Sequence, residues 1–204
     1  MTTTTTTKER RDAATVLTVG VLACIATLYW CAVRAGQTFG SPLGIAWNIA
    51  IDETPVNVTV GSSTGSVNAI VGEGTVYSDQ VNAVSVTMLV VSLVASTLSA
   101  LVVIACVMFL AHRALRGALF TRATMRTWDV IAIALIAGAA LMLFGDTLGG
   151  NGVLAAVGLQ DAEVSPSVGF WGFAPMWATG VACGLMSIAF RRGLSLQRDT
   201  EGLV

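Results

Sequence analysis

Four long apolar segments dominate the pattern of hydrophobic and polar positions along the chain. The first, from Ala13 to Val33, carries no charge over roughly 20 residues, which at ~1.5 Å rise per helical residue spans the ~30 Å hydrocarbon core of a bilayer. Three similar segments follow, and the third, from Val130 to Leu148, holds only Asp146 as a charge, near its end. The pattern therefore predicts an all-α membrane protein with four transmembrane helices.

The predicted organisation is four spans, three loops and two tails. In chain order it comprises a disordered tail at 1–12, helices at 13–33, 84–111, 129–148 and 168–190, outer loops at 34–83 and 149–167, a basic loop at 112–128, and a tail at 191–204. Alternating Val56, Val58 and Val60 before a Gly/Ser-rich stretch predict a short β-hairpin in the first outer loop. Pro175 is expected to kink or begin the regular part of the fourth helix.

The basic residues are distributed very unevenly among these segments. Of the 11 Lys and Arg residues, all except Arg34 fall in the two tails or the basic loop. Lys and Arg in short loops resist translocation, so the pattern places both termini and the basic loop in the cytoplasm. We expect a multi-pass protein of the cell inner membrane, with the loops at 34–83 and 149–167 outside.

Composition narrows the chemistry that the chain can perform. Hydrophobic residues make up 54% and charged residues 11% of the chain, and the net charge of −1 gives no indication of direct nucleic-acid binding. The four cysteines lie in or beside apolar segments, and His112 is the single histidine. A single histidine cannot build a multi-histidine metal or haem site within one chain. We therefore predict no metal and no cofactor.

Ionisable residues inside a membrane span usually mark an ion or substrate path. By position, none lies at the middle of a predicted helix. Asp146 is the strongest candidate for a functional carboxylate, in a pair with Arg34 at the outer surface, but its position near a helix end favours an interfacial, solvated carboxylate. The chain has no phosphate-binding glycine loop, HExxH or GxSxG motif, so we predict no catalytic residues and no enzyme.

Small residues at helical spacing mark two candidate helix-packing faces. Ser92 and Ser96 share one face of the second helix, and Gly180 and Gly184 share one face of the fourth. Such faces let helices approach closely, either within one bundle or across a homodimer, and the sequence leaves both open.

Aromatic residues and arginines cluster near the ends of the predicted helices. Tyr29, Trp30 and Trp47 are typical of an interfacial belt, with an aromatic-lined outer pocket as the alternative. Six arginines are candidates for contact with anionic lipid headgroups or with an acidic protein face, namely Arg113, Arg116, Arg122, Arg126, Arg191 and Arg192.

The loop HRALRGALFTRATMRTWDVIAI and the tail AFRRGLSLQRDTEGLV resemble a bacterial family of small four-helix membrane proteins of unknown function. Gly117 and Phe120, followed by Arg122 and Arg126, match a Gly-x-x-Phe element followed by arginines, although Ala123 and Thr124 come next to Arg122 where an acidic residue or Asn is common. The tail is similar to that of actinobacterial members. The resemblance implies a membrane partner for a helix-turn-helix regulator.

The sequence favours a non-enzymatic membrane protein that acts through protein contacts, as a sensor, a regulator or an accessory subunit of a larger membrane complex. Membrane lipids and a second copy of the chain are further expected partners. The alternative is a small transporter or channel for an uncharged solute, because hydroxyls can line a polar path without a formal charge. The hydroxyls that motivate it belong to Ser85, Thr87, Ser92, Ser96, Thr97 and Ser99.

Overall fold

The computed structural model of the chain describes residues 7–59, 66–117, 121–159 and 170–201. It has four helices and two strands: α1 (Thr7–Phe39), β1 (Ile45–Thr59), β2 (Ser66–Ser78), α2 (Ala83–Leu115), α3 (Arg122–Ala156) and α4 (Phe170–Glu201).

Each helix contains a stretch that is long and apolar enough to cross a membrane. These stretches are Ala14–Phe39, Ala83–Leu115, Arg122–Ala156 and Gly172–Gly193. The prediction of four membrane-length apolar helices is confirmed. The chain is thus mostly helical, with the architecture of a multi-pass membrane protein.

The helices are longer than the predicted spans. α1 begins at Thr7, inside the predicted disordered tail, and α2 and α3 are separated only by residues 116–121, so the basic loop is shorter than 112–128. Gly117, with a φ of 68°, follows the end of α2, and Thr121 caps α3 by accepting a hydrogen bond from the Thr124 backbone N–H. Hydropathy identifies where side chains leave water, whereas helical hydrogen bonding continues into polar segments.

Two further helix ends differ from the sequence prediction. α3 continues through Gly149 and Gly150 to Ala156, although a Gly-rich segment is typical of a loop. α4 continues to Glu201, beyond its predicted end at 190 and into the predicted tail. Pro175 lies inside α4, so of its two predicted effects it does not begin the helix.

The helices pack antiparallel in the order α1, α2, α3, α4. α2 and α4 both pack on α3. α3 is also the most buried helix: 33% of its most apolar 18-residue stretch is buried, against 6% for the same length of α1 and 11% each for α2 and α4. α3 is therefore the centre of the bundle. α1 contacts α2 along one side and leaves apolar side chains such as Leu17 and Leu28 exposed.

The predicted β-hairpin is confirmed and is larger than expected. β1 and β2 pair antiparallel from Ile45 opposite Ser78 to Thr59 opposite Ser66, with one irregularity between Ala50 and Thr54. Val60 and the rest of the predicted turn, at 60–65, lie outside the described residues.

The base of the hairpin folds back onto the helices. Trp47 and Ile49 of β1 form a core cluster with Leu89 of α2 and with Val153 and Leu154 of α3. We call this end of the bundle the hairpin end, and the opposite end, where α2 ends and α3 begins, the basic end. The base of the hairpin therefore covers one end of the bundle.

A close approach between α2 and α3 depends on Gly145. A Cβ added there would lie 2.6 Å from the Met88 carbonyl oxygen and 2.8 Å from the Ser92 Cβ. A backbone carbonyl can move only if α2 moves, so we expect Gly145→Ala to destabilise the protein by about 1–3 kcal/mol. A lower midpoint of thermal unfolding in detergent would show it.

The matched control is Gly36→Ala on α1, where an added Cβ has nothing within 4 Å. Its midpoint should stay within the error of the wild-type value or rise slightly, because Ala has the higher helix propensity. Equal midpoints for Gly36→Ala and Gly145→Ala would contradict the close approach of α2 and α3.

Candidate functional site

A buried carboxylate joins three helices at the hairpin end. Asp146 of α3 is 4% exposed; its Oδ1 accepts a hydrogen bond from Ser92 Oγ of α2 at 2.5 Å, and its Oδ2 accepts one from Arg34 Nη2 of α1 at 2.9 Å. The structure thus brings together the two residues of the candidate outer pair. It adds Ser92, which the sequence indicated as a packing residue and as one hydroxyl of a polar path, but not as a partner of Asp146.

The burial of Asp146 makes its two partners necessary. A carboxylate removed from water loses its hydration, and it stays charged only when cations and hydrogen-bond donors replace the lost solvent. Arg34 supplies the opposite charge, and Ser92 supplies an O–H donor to the other oxygen. Asp146 is therefore not the solvated, interfacial carboxylate that its position in the sequence favoured.

A cavity of about 600 Å³ lies next to this ion pair. α1, the base of the hairpin and α3 form its walls, and Arg34 and Asp146 are part of its lining. The side chain of Arg34 is 32% exposed, so its guanidinium is the accessible member of the pair. The cavity therefore offers a partly accessible cation whose charge is already balanced.

Helical periodicity places the α1 and α3 residues that line the cavity. Trp30, Arg34 and Thr38 are spaced four residues apart and so share one face of α1, and Met142 and Asp146 do the same on α3. In the sequence, Trp30 was assigned to an interfacial belt and Arg34 to a pair with Asp146. Their common spacing was the signal that could have placed them in one wall.

Strand periodicity places the hairpin residues of the cavity, which the sequence analysis missed. Asn48 of β1 lies opposite Thr75 of β2, and Ala46 lies opposite Tyr77, so all four share one face of the two-stranded sheet. Thr75 Oγ1 donates to Asn48 Oδ1 at 2.9 Å. Alternation could have grouped these residues, but only the fold shows that their face meets α1 and α3.

The structure places Trp47 in the core, whereas the sequence predicted it in an interfacial belt. Its side chain is 6% exposed and packs in the core, whereas Tyr29 and Trp30 are 70% and 67% exposed. The indole lies so close to Gly150 that an added Cβ would be 2.5 Å from its Cε2, and among the described residues its Nε1 has no hydrogen-bond partner. Trp47 is thus a buried anchor of the hairpin rather than part of an interfacial belt.

A second cluster, at the basic end, also joins an aspartate to an arginine and a serine, but it is more exposed to solvent. Asp129 of α3 accepts from Arg191 Nη2 of α4 at 2.8 Å and 2.6 Å, and from Ser187 Oγ at 2.6 Å. Nearby, Trp128 and Phe190 stack with ring centroids 6.3 Å apart. Asp129 is 35% exposed, so this pair is more strongly screened by solvent than the pair at Asp146.

The candidate helix-packing residues contact neighbours in the same chain. Gly180 lies against Leu135 and Ile136 of α3, and Gly184 lies against Ala132. Ser96 Oγ donates to a backbone carbonyl of its own helix. The Gly180 and Gly184 face is therefore covered by α3.

The six candidate arginines fall into two groups. Arg113 donates to Thr121 Oγ1 at 3.1 Å and lies over the Phe109 ring, and Arg191 is bound to Asp129. The side chains of the other four are exposed and make no hydrogen bond or ion pair with the described part of the chain; they are Arg116, Arg122, Arg126 and Arg192. They are the arginines available to lipid or to a partner.

Among the described residues, no three His, Cys, Asp or Glu side chains are grouped closely enough to hold a metal ion. No family model, no curated protein and no solved structure matches the chain. The resemblance of the basic loop and tail to the four-helix family stays a prediction, and Phe120 of its loop element lies outside the described residues.

Asp146→Asn tests whether the buried ion pair holds the hairpin end together. The substitution leaves the partly buried Arg34 without its counter-charge, and losing a hydrogen bond to a charged group costs about 1.5–3 kcal/mol. We expect a clearly lower thermal midpoint in detergent. Arg34→Met combined with Asp146→Asn removes both charges and should recover part of the loss.

The matched control is Arg191→Gln at the exposed pair of the basic end, where a surface ion pair is worth about 1 kcal/mol or less. A loss as large for Arg191→Gln as for Asp146→Asn would show that burial does not set the strength of these pairs. The absence of any recovery in the double variant would show that Arg34 and Asp146 are not energetically coupled.

Proposed function

We propose that the chain is a non-enzymatic membrane protein that senses a small molecule at the hairpin end and acts on partner proteins at the basic end. One observation carries the proposal: a cavity of about 600 Å³ adjoins the buried Arg34 and Asp146 pair. That volume is within the range of small-molecule sites, roughly 300–1,000 Å³. Because the pair joins α1 to α3, a ligand beside it contacts the link between these helices.

In the proposed orientation the chain crosses the membrane four times, with both termini and the basic end in the cytoplasm. The antiparallel packing of α2, α3 and α4 supports it, since it puts the short α2–α3 loop and the end of α4 at the same end of the bundle. Seven of the 11 Lys and Arg residues lie in or beside these segments, which favours a cytoplasmic location. The cavity then opens on the outer side of the membrane.

Cysteine labelling tests this orientation. In a variant whose four native cysteines are replaced by Ala, Asp79→Cys should react with a membrane-impermeant maleimide in intact cells, whereas Arg122→Cys should react only after permeabilisation. Both positions are exposed, so accessibility of the residue itself does not separate them. The reverse labelling pattern would overturn the orientation.

The four exposed arginines support an output at the basic end. They carry charge without a described intramolecular partner, and they are compatible with the acidic surface of a helix-turn-helix regulator or of another membrane subunit. α3 connects the two ends, since Asp146 and Asp129 lie about 26 Å apart along the helix at ~1.5 Å per residue. A ligand that moves α3 at one end can therefore change the contacts of α4 at the other.

Transport is less well supported by the helix faces. The six hydroxyls that motivated it donate to backbone carbonyls or, for Ser92, to Asp146. Three of these bonds, from Ser85, Ser92 and Ser99, run from α2 to α3, and the other three bind carbonyls of α2 itself. The hydroxyls are thus engaged within the bundle, so we propose sensing rather than passage of a solute.

Charge removal at the basic end tests the partner contact. Changing all four exposed arginines to Gln should reduce the protein that co-purifies from native membranes by about tenfold or more, because each exposed charge contact contributes roughly 0.2–1 kcal/mol. Quantitative mass spectrometry of the purified complex is the measurement.

The matched control changes the same four arginines to Lys. It keeps the charge and hence membrane orientation and lipid attraction, so it should retain more of the partner than the Gln variant. A wild-type chain that is monomeric and free of other proteins when purified at native expression level would contradict the proposal.

A further inference from the structure

We propose that the cavity at the hairpin end binds a small uncharged molecule rich in hydroxyl groups, about the size of a mono- or disaccharide. The inference deepens the proposed sensing function and rests on it, because it names the class of molecule that the site takes. The charge, the hydrogen-bonding groups and the aromatic rings of the lining each support it.

The charge of the described lining disfavours strongly charged ligands. Among the described lining residues, the charged side chains are Arg34 and Asp146, and they neutralise each other at 2.9 Å. An anion that approaches Arg34 also approaches the Asp146 carboxylate, while a cation meets the exposed guanidinium before the buried acid. The site therefore gives no net Coulombic attraction to either sign, which favours an uncharged ligand.

The hydrogen-bonding groups of the lining match hydroxyls. Asn48 and Gln37 each have a donor and an acceptor in one amide, and the Tyr77 hydroxyl both donates and accepts. The Thr75 hydroxyl donates its proton to Asn48 and keeps an acceptor for a ligand. Arg34 has five N–H donors, and the bond to Asp146 engages only its Nη2. A ligand hydroxyl can donate and accept at once, so it satisfies such a mixed lining better than a pure acceptor does.

Exposed aromatic rings supply the apolar part of the site. Trp30 is 67% exposed and Tyr77 is 43% exposed, and they stand on opposite walls, on α1 and on β2. The C–H face of a sugar ring is apolar and packs on such rings, while its hydroxyls reach the amides around it. The cavity thus pairs flat apolar surfaces with mixed polar groups, as a saccharide requires.

The test uses the full chain in phosphatidylethanolamine nanodiscs, because maltoside detergents would add a sugar and phosphatidylcholine would add choline headgroups. Trehalose, maltose, succinate and choline are titrated while tryptophan fluorescence is followed. We expect saturable binding of at least one disaccharide and at least tenfold weaker binding of succinate and choline. Tyr77→Ala and Thr75→Val should each weaken disaccharide binding by about fivefold or more, a change of roughly 1 kcal/mol.

The matched control is Tyr29→Ala, which removes an exposed tyrosine of α1 that is not part of the lining and should bind the disaccharide like the wild type. If an added glycolipid displaces the disaccharide, the hydroxyls come from a lipid headgroup, and the ligand class stands. Saturable binding of succinate or choline in place of the sugars would overturn the class while leaving a sensory site. If none of the four probes binds, or if Tyr77→Ala and Tyr29→Ala bind the disaccharide equally well, the inference at this cavity is overturned. A failure to find the partner contact at the basic end would overturn the proposed output but not the ligand class.

Discussion

Asp146 imposes a constraint on the whole hairpin end, because a carboxylate that is 4% exposed keeps its charge only with a cation and a donor beside it. The cation comes from α1 and the donor from α2, so the depth and rotation of both helices relative to α3 are fixed by two hydrogen bonds. The bond to Asp146 matters most for α1, because only 6% of the apolar stretch of this helix is buried. Packing alone holds α1 weakly, and Arg34 supplies a directional link to the centre of the bundle.

Ser92 can reach Asp146, and the hairpin can pack on α3, only because α3 has glycines at these contacts. Gly145 lets α2 come near enough for Ser92 to reach Asp146, and Gly150 lets the Trp47 ring press against the helix. Glycine is a poor helix former in isolation. Here the loss of intrinsic helix propensity is offset by close contact with α2 and the hairpin, which explains why a segment that resembles a loop in sequence continues as a helix to Ala156.

The same contrast shows what the sequence could and could not predict. Four spans follow from hydropathy and a hairpin from the alternation of Val56 and Val58, because both are properties of neighbouring residues. Arg34 and Asp146 could be paired because few charges lie near the outer ends of the helices. The cavity could not be predicted, since it exists only when the face of Asn48 and Tyr77 folds back over α1 and α3, and local patterns do not determine that contact.

α3 has an acid, a serine partner and an arginine partner near each end, but the two clusters differ in exposure: Asp146 is 4% exposed and Asp129 is 35% exposed. The buried pair is the stiffer link, and the exposed one exchanges more readily with water and with external charges. A ligand shifts such a system only through a difference in its contacts between two arrangements of the helices. An uncharged ligand leaves the Arg34 and Asp146 pair intact. Its effect would therefore be a change in the relative position of α1, the hairpin and α3. That change would reach Asp129 as a movement of α3 rather than as a change of charge.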